Sequence, residues 1–409
     1  MDDPPLEIYE VATTVSLYQN ESAIEMEAIP IVGNTFEKTQ KTLAEHQVLP
    51  NPIDKHSTRP HLAYDRLQPT MLSKSLVSDD EETVLAALSA SHAILGQHLK
   101  AQQMVEEGLL DVFGGLASST TFSSTVRQLS LRCIEKILTS PHVSRSSTLL
   151  TESIYTAIQN AMNNSTDSEM RAISYKSLLN CSDDVDSVRA IVSLNLVSSL
   201  LHRLSEELIG YSNFARGQEL TNLILQTLRR LFSQTSQAKS CDQSLENPRK
   251  ISIFIDCITV NHSSDETKAL ALGCLSFLAG EVNGKLAIIK EGKDVLSILL
   301  SSCRSSSSNV CAGAAGTLCG ILIHDDGKRL LLDSQDWIAL LELVDPRCSI
   351  NVLLPACTAL GAFSAHPAGR EALLIHGKRR LELIVQHFKE GVVHKAASRA
   401  LATIIWVPE

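Results

Sequence analysis

The chain has 409 residues, a formal net charge of −10 at pH 7, 44% hydrophobic residues and only 4% aromatic residues. This length exceeds what one hydrophobic core usually supports, so the chain forms either several domains or one elongated repeat array. A core of mainly aliphatic side chains favours packed helices over β-sandwiches. The acidic balance, without a basic stripe, argues against nucleic acid as a partner.

Composition also bears on compartment and on covalent chemistry. No stretch approaches the roughly 18 consecutive apolar residues that a membrane span requires, and the acidic segment 1–5 is unlike a signal peptide. We therefore expect a cytoplasmic protein with no membrane partner. The ten cysteines include no Cys-x-x-Cys pair, which predicts reduced, mostly buried thiols rather than zinc ligands or disulfides.

The amino-terminal segment differs in character from the rest of the chain. Residues 1–60 carry ten acidic residues against four basic ones, together with six prolines and no sustained helical apolar pattern. Such a segment lacks the apolar surface that would offset the entropy of ordering. We predict an acidic, largely disordered arm at 1–50, followed at 51–77 by a lead-in segment and capping helix that covers the first repeat, anchored by Tyr64 and Leu67.

From residue 78 onward the sequence repeats. Three predicted helix starts carry a Ser/Thr-x-x-Glu capping box, namely Ser78–Glu81, Thr166–Glu169 and Ser263–Glu266. Within the helices a small residue precedes a leucine by four positions, which places both on one face for close packing. These pairs are Ser174/Leu178, Ala271/Leu275, Ala314/Leu318, Ala356/Leu360 and Ala397/Leu401.

A period of roughly 42 residues, with two long helices and a short one per unit, is typical of armadillo and HEAT repeats. The sequence therefore predicts an all-α, armadillo/HEAT-like right-handed α-solenoid of about seven repeats over residues 78–406. The predicted repeats start near residues 79, 123, 166, 208, 263, 307 and 349, and a capping helix follows at 392–406. A polar stretch at 233–248 predicts an inserted loop in the fourth repeat.

No pattern in the sequence predicts catalysis. Phosphate-binding glycine loops and paired zinc-binding histidines are missing, so we expect neither an enzyme, nor a metal or cofactor, nor a small-molecule substrate. Gly313, Gly316 and Gly320 are spaced along one helix and predict a smooth packing face. Four histidines near the carboxyl end lack a metal-binding spacing: His366, His376, His387 and His394.

The predicted activity is protein binding. We expect the concave surface to be formed by the second long helices, especially 195–204, 294–302, 336–344 and 380–388, and to hold a partner segment. Trp337 is the sole tryptophan on these helices, which disfavours the Trp/Asn ladder of nuclear-import receptors. The predicted contact residues on these helices are Asn195, His202, Ser297, Ser301, Trp337, Leu341, Arg380 and His387.

The lead-in resembles a known family. Pro52-Ile53-Asp54 is followed by Ala63-Tyr64, Arg66-Leu67 and Pro69. This pattern is similar to the lead-in of the radial spoke head 14 homologue family, armadillo-like proteins of ciliary and flagellar radial spokes. The resemblance implies a non-catalytic structural subunit of the axonemal cytoskeleton, with other spoke or axonemal proteins as partners. The alternative is a soluble armadillo-repeat adaptor that binds peptide segments in trafficking, signalling or protein degradation.

Overall fold

The computed structural model describes residues 69–140, 151–164, 166–210, 215–238, 249–260 and 263–406. The predicted arm at 1–50 and the lead-in up to residue 68, with Tyr64 and Leu67, lie outside these residues. Residues 233–238 of the predicted loop continue a helix, and residues 239–248 lie outside the described part.

All regular structure in the described residues is helical. In chain order the helices are α1 (Pro69–Leu76), α2 (Glu81–Ile94), α3 (His98–Glu106), α4 (Leu109–Ser118), α5 (Ser124–Leu138), α6 (Glu152–Asn164), α7 (Ser168–Cys181), α8 (Val185–Ser193), α9 (Leu196–Gly210), α10 (Ala215–Ala238), α11 (Arg249–Thr259), α12 (Asp265–Gly280), α13 (Val282–Glu291), α14 (Lys293–Cys303), α15 (Ser308–Ile321), α16 (Asp325–Asp333), α17 (Ile338–Glu342), α18 (Ile350–Ser364), α19 (Pro367–His376), α20 (Lys378–His387) and α21 (Val392–Ile405). A 3-10 turn at Gln335–Trp337 precedes α17.

The helices form two layers joined by short connectors. Layer A contains α2, α5, α7, α10, α12, α15, α18 and α21, and each of these helices packs against the next one in the series. Layer B contains α4, α6, α9, α11, α14, α17 and α20, and each packs against the layer A helix that follows it in the chain. The short helices α3, α8, α13, α16 and α19 connect layer A to layer B. This arrangement is the repeating solenoid that the sequence predicts.

Layer A is packed more closely than layer B from α10 to the end of the described solenoid. A Cβ atom added at Gly313 of α15 would lie 2.7 Å from the Cβ of Leu272, and one at Gly320 would lie 2.6 Å from the Cβ of Ala279. The glycines therefore serve helix packing, as predicted, because the backbones approach too closely for a side chain.

Since neighbouring helices are closest on the inner side of a bent stack, this close packing favours layer A as the concave side of the solenoid. The second long helices, which we expect from the sequence to line the concave side, form layer B, and that expectation stays a prediction. We call the solvent-facing side of layer A the inner face.

Helix capping follows the predicted positions with a shift of one or two residues. Asp80 caps α2 by accepting a hydrogen bond from the Thr83 amide at 3.1 Å, in place of Ser78. Asp167 accepts from the Glu169 amide at 2.8 Å at the start of α7, in place of Thr166. A carboxylate at a helix start also interacts favourably with the helix dipole, so aspartate competes well for this role.

The first described helix closes the amino-terminal end of the stack. Helix α1 packs against α2 and α4. Its Leu72 and Leu76 side chains are 3% and 1% exposed, so both belong to the core. Burial of these two side chains removes apolar surface of the first repeat from water.

Candidate functional site

The inner face is charged over the second, third and fourth repeats. Cross-helix ion pairs link successive layer A units, and their side chains are 41–65% exposed, so each contributes little to stability. The pairs are Arg132 with Glu169, Lys176 with Glu219 at 3.8 Å, and Arg230 with Asp183 at 2.8 Å. These ion pairs instead orient the long side chains toward the neighbouring repeat, and they keep both positive and negative charges at the surface.

The surroundings of this charged zone shift several pKa values. The Arg132 guanidinium donates a hydrogen bond to Glu169 and thereby lowers the pKa of Glu169. Burial raises the pKa of Glu135. Lys136 Nζ donates a hydrogen bond to the backbone oxygen of His92 at 2.7 Å, and burial together with this charge lowers the pKa of His92. The imidazole is therefore biased toward its neutral form.

From α12 onward the inner face is small and apolar. Gly273, Gly316 and Thr358 hold equivalent positions, each two residues after the repeated alanine of its helix. Nearby, Phe277 is 36% exposed and Ile323 is 62% exposed. The space beside Gly273 is filled by Arg229, whose Cδ would lie 3.2 Å from an added Cβ, and the space beside Gly316 is filled by the Ser276 hydroxyl at 2.5 Å. The accessible part of this zone is therefore formed by exposed side chains such as Phe277, Ile323 and Thr358. The inner face thus has a charged zone over α5, α7 and α10 and a smooth zone over α12, α15 and α18.

The predicted contact residues on α9 and α14 lie in layer B, away from the inner face. Asn195 is exposed in the turn before α9 and has a positive φ of 57°, which asparagine tolerates better than most residues. His202 is exposed, with its Nε2 3.9 Å from Glu206. Ser297 and Ser301 are exposed on α14, and Ser301 Oγ donates to the Ile298 carbonyl at 2.9 Å. A binding role for these residues stays a prediction.

The remaining predicted contacts are partly structural. Trp337 is half-buried, with ring centroids 5.9 Å from Phe363 and 6.1 Å from His376. Leu341 is 3% exposed and belongs to the core. It is therefore unavailable to a partner, which corrects its selection, because helical spacing alone does not tell which side of α17 faces layer A.

Two predicted contacts near the carboxyl end remain accessible to different degrees. Arg380 is partly exposed and donates a hydrogen bond to the Leu341 carbonyl at 3.3 Å, which ties α20 to α17. His387 is exposed, and its ring packs edge-on against Phe388 at 4.8 Å. A binding role for both stays a prediction.

The described cysteines are free thiols, most of them buried, as predicted. Burial raises the pKa of Cys133, Cys181 and Cys357 to about 12. At neutral pH these thiols are protonated, so they behave as small apolar side chains rather than nucleophiles. Cys319 and Cys348 are partly exposed.

Two further observations concern ligands and membranes. Within the described ranges, no group of three His, Cys, Asp or Glu side chains is arranged to hold a metal ion. In the same part of the chain, no single helix is long and apolar enough to cross a membrane. Helices α12 (Asp265–Gly280) and α13 (Val282–Glu291) are long and apolar enough only when taken together, and the chain bends by 117° between them.

Comparison with solved structures identifies the fold of this chain. No family model matches the sequence, and no curated protein matches it. One similar solved structure is described as showing that a conserved phosphorylation switch controls the interaction between cadherin and beta-catenin. Its chain aligns with this one at a TM-score of 0.61 and 17% sequence identity, and the alignment covers 82% of this chain and 60% of that chain. An engineered protein aligns with a TM-score of 0.53 and 19% identity, over 82% of this chain and 88% of that one. The chain has an armadillo-type solenoid fold.

The inner-face residues are the functional candidates that sequence reasoning missed. Arg132, Lys176, Gly273 and Phe277 all belong to layer A, whereas the predicted contacts were taken from layer B. The signal that identifies the inner layer was present in the sequence as the spacing of Gly313, Gly316 and Gly320, since close approach of helices occurs on the concave side.

Proposed function

We propose that this protein is a non-catalytic, protein-binding scaffold whose inner face holds a segment of a partner protein. The observation that supports this is the continuous accessible face of layer A, charged over α5, α7 and α10 and smooth over α12, α15 and α18. Solenoids of this class bind through extended surfaces rather than deep pockets. A partner segment that crosses both zones places polar groups on the ion pairs and apolar groups beside Phe277 and Ile323.

Site-specific photo-crosslinking tests this proposal. A photoreactive residue replaces Thr358, which is exposed on the inner face, and in a matched variant it replaces Ser297, which is exposed on layer B. After irradiation in a cell extract, we expect the Thr358 variant to form a discrete adduct with a partner and the Ser297 variant to form little of it. Stronger adducts from Ser297 would restore the layer B surface as the binding site and contradict the proposal.

A more specific proposal is that the scaffold is a structural subunit of the radial spoke in the axoneme of motile cilia or flagella, bound to other spoke proteins. Its support is the lead-in from Pro52 to Pro69 in front of an armadillo-type solenoid. Expression of a tagged chain in a flagellated cell tests it. A spoke subunit stays with detergent-insoluble axonemes at high salt, whereas a soluble adaptor in trafficking, signalling or degradation is washed out.

A further inference from the structure

A cavity of about 350 Å³ lies at one edge of the solenoid, where α4 leads into α5 and α6 leads into α7. Its lining includes the apolar side chains of Ala117, Ala161 and Met170 and the polar side chains of Asn160 and Arg127. The Nε atom of Arg127 is buried and has no hydrogen-bond partner among the described residues. A buried guanidinium nitrogen without an acceptor is costly, so a group that accepted a hydrogen bond from Arg127 Nε would be stabilised in this cavity.

The next repeat shows which kind of acceptor an arginine at this position binds. Arg127 is the fourth residue of α5, and Arg171 is the fourth residue of α7. The two helices share one register, because Ser130 and Ser174 each donate a hydrogen bond to the carbonyl four residues earlier, both at 2.8 Å. The two arginines are therefore the same position of the repeat in consecutive units.

The two equivalent arginines differ in their hydrogen-bond partners. The Nε of Arg171 donates to Glu207 of α9 at 2.7 Å, and Glu207 is only 8% exposed. Helix α9 is the layer B helix that follows α7, and α6 holds the corresponding place after α5. At the cavity, however, α6 presents Asn160 rather than a carboxylate. None of the described α6 residues that line the cavity is acidic, so the cavity offers Arg127 no carboxylate from that helix.

We propose that this cavity, the Arg127 cavity, binds a glutamate or aspartate side chain of a partner protein, with the carboxylate on Arg127 Nε. The proposal rests on the protein-binding function proposed above and names one chemical feature of the partner. A carboxylate on a guanidinium forms charge-assisted hydrogen bonds, and a partly enclosed site screens them less than open water does. The methylene groups of the incoming side chain pack against Met170 and the two alanines.

One charged neighbour opposes an incoming anion. Asp167 also lines the cavity, although its carboxylate accepts a hydrogen bond from the Glu169 amide at the start of α7. This negative charge weakens carboxylate binding without occupying Arg127 Nε. Asp167→Asn keeps an N-cap residue and removes the charge, so it should tighten the binding of an acidic ligand.

An acceptor for Arg127 Nε can be supplied within the chain. Asn160→Glu places a carboxylate at the cavity, so we expect a higher Tm than in the parent protein. In the Arg127→Gln background the same substitution should give no increase. Thr156→Glu, at an exposed position of the same helix outside the cavity, is the matched control. An equal rise for both glutamates, or a rise that persists without Arg127, would overturn the proposal.

Ligand binding is followed through the Met170 methyl group. The full chain is labelled with ¹³C at its methionine methyls and titrated with the blocked peptide acetyl-Ala-Glu-Ala-amide or its Gln counterpart. We expect a saturable Met170 shift with the Glu peptide alone. The shift should disappear in Arg127→Gln and persist in Arg132→Gln, whose arginine already pairs with Glu169.

Two outcomes of the titration overturn the Arg127 cavity as a carboxylate site. One is the lack of a saturable shift with the Glu peptide, and the other is an equal shift with both peptides. Failure of the wider function looks different: the Met170 response to the Glu peptide would be intact while crosslinking from Thr358 captured no partner. The two experiments therefore separate the cavity from the scaffold function.

Discussion

Removal of the Glu207 carboxylate should destabilise the middle of the solenoid by about 3 kcal/mol. Arg171 donates to both carboxylate oxygens of Glu207, at 2.7 and 3.4 Å, and the two side chains are only 16% and 9% exposed. The Tyr175 hydroxyl adds a hydrogen bond at 3.3 Å. Deleting one partner of such a buried pair costs roughly 3–5 kcal/mol because the other charge stays desolvated. The lower value applies here because Arg171 Nη1 still donates to the Thr166 carbonyl at 3.1 Å.

Glu207→Ala is compared with Glu206→Ala, which removes the adjacent but 44% exposed carboxylate and should cost less than about 1 kcal/mol. The double variant Arg171→Met/Glu207→Leu should recover most of the lost stability, since it leaves no unpaired charge. Urea unfolding by circular dichroism measures the total, and hydrogen exchange in α7 and α9 locates the loss, because repeat arrays do not always unfold in two states. Equal losses from Glu207→Ala and Glu206→Ala would refute the reasoning.

Three further predictions concern packing, ionisation and thiol reactivity. Gly327→Ala should cost about 2 kcal/mol by overpacking, because its Cβ would lie 2.2 Å from a backbone oxygen, whereas Gly280→Ala has open space and should cost nothing in thermal unfolding. Arg132→Gln should raise the pKa of Glu169, measured by carboxyl NMR titration, because the hydrogen bond that lowers it is lost. The stability that this pair contributes is present above the ordinary pKa of glutamate and is lost as the pH falls through the lowered pKa of Glu169. An unchanged pKa of Glu169 in Arg132→Gln would contradict this assignment. Iodoacetamide at mildly alkaline pH should label partly exposed Cys348 before the buried thiols, as peptide mass spectrometry can show.

The fold could be predicted because its cause is local and periodic. A small residue four positions before a leucine recurs at one place in each unit, for example Ala271 with Leu275 and Ala314 with Leu318. Each of these four side chains is fully buried between neighbouring helices. Cap identity was less predictable, because Ser78 and Asp80 both suit the start of α2 and differ little in energy.

The side of the solenoid that faces a partner is harder to predict from the sequence. Leucine patterns reveal which face of a helix is buried, and both layers bury one face, so these patterns do not tell the inner layer from the outer one. Glycine spacing does, because Gly313 and Gly320 are useful only where the next helix is in near contact. The pairing of Arg171 with Glu207 is a different kind of omission. It joins residues on two helices. The spacing of Leu200, Leu204 and Glu207 places Glu207 on the buried stripe of α9, but that spacing does not identify Arg171 as its partner.

A repeat array also needs something that fixes the register of its partner, since identical units would bind a segment equally well at several positions. The differences between units supply it here. Helix α10 has 24 residues and marks the border between the charged zone and the smooth zone. At that border Gln218, Asn222 and Gln226, spaced by four residues, lie beside Glu266 and line a cavity of about 320 Å³. Under the proposed function, a segment with polar side chains over α5 to α10 and apolar side chains over α12 to α18 would be held in one direction, and an acidic side chain in the Arg127 cavity would fix its register.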